Sequence, residues 1–173
     1  MNTSLYSVTV PVFRKGLAAL SAILDKAEMH LKDAGKSEAE LLAKRFAPDM
    51  FPLTKQVQVA CDQAKGFAFR LKGEQPPAIE DTETTIAELK ARIQKTIDIL
   101  DTVKPEDVDA KEGSEVRLPY FPNMHLTGFH YAFEYVIPNF FFHLTTAYDL
   151  LREEGVTIGK ADYIGGLSFR QDA

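Results

Sequence analysis

Residues 138–155, PNFFFHLTTAYDLLREEG, read as the body of one long helix, with Gly155 suited to its stop. Pro138 has no N–H to give the carbonyl of Glu134, so the helix is expected to kink there or to restart with the proline in a new first turn. Phe140, Phe141 and Phe142 point around more than half of the helix. At least one of them must meet a second helix layer, a pocket or another subunit, which is the sequence's argument for a homodimer. Asn139 and His143 stand four apart, on one face and one turn from each other. Two helical side chains chelate a metal at this spacing, and buried polar groups satisfied by hydrogen bonds share it.

Working outward, this helix is expected to begin after Thr127-Gly128 and to run to about Glu154. Three more long segments carry helical periodicity. From Pro11 to Ala34, Phe13, Leu17, Leu20, Leu24, Ala27 and Leu31 make one apolar face. From Pro52 to Lys72 the stripe is Val57, Cys61, Ala64, Phe67, Ala68 and Leu71, with small residues that allow close helix approach. From Thr85 to about Val103 it is Ile86, Leu89, Ile93, Ile97 and Leu100, with a charged opposite face expected to lie outside. A short helix from Ser37 to about Phe46 and the helix at Thr85 each open on a capping-box pattern, Ser37 with Glu40 and Thr85 with Glu88. The linker EQPPAIED, 74–81, reads as a surface connection. Residues 104–128 read as a loop with a short hairpin. The tail after Gly155 reads as a strap across the bundle, anchored by Tyr163 and Ile164. Four long one-sided helices predict an all-α fold, a four-helix bundle forming a single domain over residues 1–173.

Charge and composition narrow the function. The 173 residues carry a net charge of −5 and a sequence pI of about 5.4, which disfavours nucleic acid and anionic membrane surfaces as partners. No apolar run is long enough for a membrane span, and the first residues lack a signal-peptide pattern, so a cytoplasmic location is expected. Cys61 is the single cysteine; it excludes an internal disulfide and falls in an apolar stripe, where a thiol is inert packing. There is no phosphate-cradling glycine loop and no serine elbow.

The remaining polar candidates lie on two other segments. Gln58, Asp62 and Lys65 lie beside the apolar stripe of the second long helix, Gln58 and Asp62 four apart on one face. A carboxylate there would hold His143 in one tautomer or bind a cation. His125 lies in the loop, where it could fold over the bundle mouth. His130 falls nearly opposite His143, and His30 suits a helix C-terminus.

Four stretches, SLYSVTVPVF, APDMFPLTKQVQVACDQAKGFAFRL, DTETTIAELKARI and PNFFFHLTTAYDLLREEGVTIGKADYIG, resemble a bacterial family classed as a domain of unknown function and grouped with the DinB/YfiT-like metalloenzymes. The resemblance spans nearly the whole chain. It implies a DinB-like four-helix bundle, commonly dimeric. It also implies a divalent metal held by one histidine of the second long helix and a His-x-x-x-His pair on the last, just before a Leu-Arg-x-x-Gly ending. LLREEG supplies that ending, and His143 stands at the second histidine of the pair. Asn139 stands at the first, and the second long helix has no histidine. Some members of the superfamily are metal-dependent thiol transferases or isomerases acting on small electrophiles.

The expectation is therefore a degenerate metal site that binds a small molecule. His143 and Asn139 would line it, Asp62 or Gln58 would stand opposite, and His125 would sit nearby. No cofactor is expected in this reading. One alternative is a zinc or nickel enzyme with His143 and Asp62 as ligands, transferring a thiol to a small electrophile. The other is a non-catalytic dimeric interaction protein.

Overall fold

The structure, a computed structural model, describes residues 3–170. Four long helices form the bundle: α1 (Val10–Ala34), α3 (Leu53–Leu71), α4 (Ile86–Asp101) and α7 (Ile137–Glu153). α3 packs against α7 and α4, and α1 packs against α4 and α7. Every residue of the three expected apolar stripes is buried. Phe13 of α1 bridges the core, its ring 5.7 Å from Phe67 of α3 and 4.8 Å from Phe140 of α7. Among the described residues no helix is long and apolar enough to cross a membrane.

Short elements complete the fold: α2 (Glu38–Ala43), α5 (Pro105–Val108), strands β1 (Glu115–Val116) and β2 (Leu126–Thr127), α6 (Gly128–His130) and α8 (Lys160–Ile164). β1 and β2 pair antiparallel as the expected hairpin, Val116 opposite Leu126. The capping box at Thr85 and Glu88 forms in full. At Ser37 half of it forms: the Ser37 hydroxyl accepts from the Glu40 N–H. Glu38, not Glu40, takes a second role there, accepting from the Ile86 N–H at the start of α4.

Between α6 and α7 the chain stays helical but widens into a π turn over Tyr131–Val136. The Ile137 N–H reaches back to the Ala132 carbonyl, five residues away, just before Pro138. Here lies the expected break. The proline cannot supply the α-helical bond, and the turn before it loosens instead of ending.

Two expectations are corrected. The outer face of α4 is not uniformly in water, because Arg92 is buried, its side chain 1% exposed. The linker 74–81 does run at the surface, and just beyond it Glu83, its side chain 7% exposed, binds Arg92. The tail does lie over α1 through α8, where Asp162 pairs with Lys26 and Tyr163 bonds to Thr145. Its buried anchors, however, are Val156 and Ile158, while Ile164 is exposed.

Candidate functional site

A cavity of about 590 Å³ opens between α3, α7 and the linker, within the size range of small-molecule sites. α7 contributes Asn139 and His143, and the π turn contributes Tyr135. α3 contributes the polar stripe that runs opposite its core face, including Lys55, Asp62, Lys65 and Arg70. The linker prolines Pro76 and Pro77 close one side.

His143 is 6% exposed, and its Nδ1 lies 2.6 Å from Gln56 Oε1. The Gln56 amide has one workable orientation, since its Nε2 donates to the Phe51 carbonyl at 2.9 Å and a carbonyl can only accept. Gln56 Oε1 therefore accepts, and His143 Nδ1 carries the proton. Nε2 is left as an unprotonated lone pair on a residue that lines the cavity. Burial pushes the His143 pKa down to about 4, so the imidazole is neutral at pH 7.

An ion network backs the wall beside it. Arg92 reaches Asp62, Asp81 and Glu83, each at 3.0 Å, and also donates to the Glu80 carbonyl at 3.1 Å. Lys55 pairs with Asp81 at 2.5 Å, Lys65 with Asp62 at 3.1 Å, and Gln58 donates to Glu83 at 2.8 Å. Burial would raise the Glu83 carboxyl, but the bonds from Arg92 and Gln58 outweigh it and hold it below its ordinary value. Cys61, next to this network and fully buried, has its thiol pushed up to about 12, chiefly by burial. It stays protonated and unreactive.

Of the residues singled out in the sequence, the structure brings His143, Asn139 and Asp62 to one cavity. Gln58 is turned away toward Glu83. Gln56 takes the place expected of it, because two residues along a helix is more than half a turn and the two side chains cannot face the same partner. His125 lies in a separate apolar hollow of about 320 Å³, divided from the first by Leu118 and Tyr135, which line both. His130 bonds to Thr127 at 2.7 Å and is exposed.

Lys65, set beside the apolar stripe in the sequence, lines the same cavity. Sequence reasoning missed Gln56, Arg70 and the carboxylates between α3 and α4. Those carboxylates carried no signal, since only the fold brings Asp81 and Glu83 to Arg92.

The donor set is a poor one for a divalent metal. Among the described residues, no group of three or more histidine, cysteine, aspartate or glutamate side chains is placed to hold one. Asn139 offers a weak neutral oxygen, the Asp62 carboxylate is already shared by Arg92 and Lys65, and three cations stand on the cavity wall. These residues do not fit zinc or nickel.

Residues 5–164 match the family described as Domain of unknown function (DUF1993). No curated protein matches the chain. Among solved structures, the crystal structure of a DinB family member protein from Shewanella denitrificans is similar, with a TM-score of 0.92 and 40% identity over 97% of this chain and 96% of that one. The chain belongs to the DUF1993 family and has the DinB-like all-α fold.

Proposed function

We propose that this DUF1993 protein binds a small molecule in the cavity between α3 and α7, and does so without a resident metal. One observation carries the reading: the relay from the Phe51 carbonyl through Gln56 to His143, which leaves Nε2 as a fixed acceptor on the cavity wall. A histidine held this way accepts a hydrogen bond or a proton from a bound ligand. The cationic wall and the engaged Asp62 carboxylate support the metal-independent form.

Elemental analysis of natively purified protein, run beside His143→Ala, tests it. Metal well below one ion per chain is expected, with ligand-induced shifts of the His143 ring resonances that persist in chelator. About one metal per chain, lost in His143→Ala, would restore the metal-dependent thiol transferase reading. We also propose a homodimer. Phe129 and Phe133, 48% and 42% exposed, lie with their rings 4.7 Å apart, and Phe142 is 55% exposed; large aromatics in water mark contact surfaces.

A further inference from the structure

Three cations and one carboxylate line the cavity: Lys55, Lys65 and Arg70 against Asp62. Extending the network to Arg92, Asp81 and Glu83 leaves four cations facing three carboxylates, in a protein whose overall charge is −5. The surplus falls on one residue. Arg70 has no carboxylate partner among the described residues; it donates to the Tyr131 phenol oxygen at 3.3 Å. Lys65 is also under-satisfied. Its side chain is 6% exposed, and its three donors meet one carboxylate, Asp62, which Arg92 shares. A buried ammonium in that state is costly unless another acceptor reaches it.

A third observation bears on how Arg70 is held. Gly66 lies one turn earlier on α3, and a Cβ added there would meet Arg70 Nη1 at 2.0 Å and Cζ at 2.9 Å. The guanidinium folds back onto the helix at the one place where the side chain is missing. A mid-helix glycine destabilises a helix relative to alanine. Here it makes the room that keeps Arg70 beside the cavity and Tyr131, where a longer reach would carry it into water.

We propose that the cavity selects a small monocarboxylate, its oxygens held on the Arg70 and Lys65 wall and its body extending toward Asn139 and the His143 Nε2. A surplus of one positive charge suits a monoanion better than a phosphate dianion, and the planar guanidinium fork matches a carboxylate. Lys65 is the inner point charge. Gly66 is a positioning residue that acts through Arg70. The inference rests on the small-molecule reading and adds the ligand's class to it.

The test is a panel of small aliphatic and aromatic monocarboxylates, each paired with its primary amide. Binding to the full chain is followed at pH 7.5 by the His143 ring signals and by calorimetry, with inorganic phosphate as a further probe. Carboxylates are expected to bind and their amides to bind at least about tenfold more weakly. Arg70→Gln should lose about tenfold or more in carboxylate affinity. Gly66→Ala should lose a similar factor while its unfolding midpoint holds or rises, a combination that a merely structural role for Gly66 does not produce. Amides that bind as well as their acids, phosphate in place of carboxylates, or undiminished affinity in both variants would overturn the inference and leave the small-molecule reading standing. A panel in which neither acids nor amides move the His143 signals would overturn both.

Discussion

The buried neutral imidazole of His143 gives a direct thermodynamic prediction. In the unfolded chain it titrates near its ordinary 6.5, and in the folded protein burial lowers it to about 4. The unfolded state therefore binds the proton more readily, so stability is complete above pH 6.5 and is lost as pH falls toward 4. At about 1.4 kcal/mol per pH unit the full loss is about 3 kcal/mol, of which about 2 is gone by pH 5 and most by pH 4. Burial is the acting cause and no charged partner offsets it: Nδ1 faces the Gln56 amide, and the Phe51 and Phe142 rings lie 6.3 and 5.2 Å away.

The assay is urea unfolding from pH 7.5 to pH 4 on the wild type and on His143→Asn. The asparagine can still donate an N–H to Gln56 but does not titrate. Carboxylates that weaken in acid, Glu83 and Asp81 among them, do so in both proteins, so the difference between the curves isolates His143. The wild type is expected to lose about 3 kcal/mol more than the variant over this range. Parallel curves, or a His143 ring titration centred near 6.5, would refute the burial and tautomer argument together.

Other outcomes follow from the same geometry. Arg92→Met should destabilise the fold by about 3 kcal/mol, because it leaves the buried Glu83 without a counter-charge, with the Gln58 amide alone, while Asp62 and Asp81 keep Lys65 and Lys55. The melting point should drop by about 6–12 °C, with part regained on adding Glu83→Gln, and a loss under about 1 kcal/mol would count against the network. Cys61 should resist alkylation in the native protein at pH 8 and react only on unfolding; rapid native labelling would contradict its burial. Light scattering should give twice the chain mass of 19.3 kDa, and Phe142→Ser should return it to a single chain; a monomeric wild type would end the dimer proposal.

The bundle was legible because each long helix wears its apolar residues on one face, and burial followed those stripes residue by residue. The capping box at Thr85 was legible for the same local reason. The site was legible only in part. Asn139 and His143 share a face by helical geometry alone, so their meeting at one cavity needed no tertiary knowledge. Which glutamine faces His143 depends on the rotation of α3 against α7, and the choice between Gln56 and Gln58 is set by packing that spacing does not encode. Asp81 ends a proline-rich linker with no periodicity, and Glu83 lies just beyond it. Only the placement of Arg92 on a neighbouring helix explains why that segment is tied down.

The π turn ahead of Pro138 has a consequence for alignment along the last helix. Four residues overshoot one α-helical turn by about 40°, so a ladder of every fourth residue drifts steadily around an ordinary helix. A wider turn holds more residues per revolution, and there the same step falls short. The two errors offset where they adjoin, and Tyr131, Tyr135, Asn139 and His143 stay in one row toward α3. At one end of that row Tyr131 stacks on Phe67 and meets Arg70, and at the other His143 meets Gln56. A single added or deleted residue between 131 and 136 would throw the two halves of the row out of phase while leaving the helix intact. The length of this turn, more than its composition, keeps the phenol that steadies Arg70 in line with the imidazole.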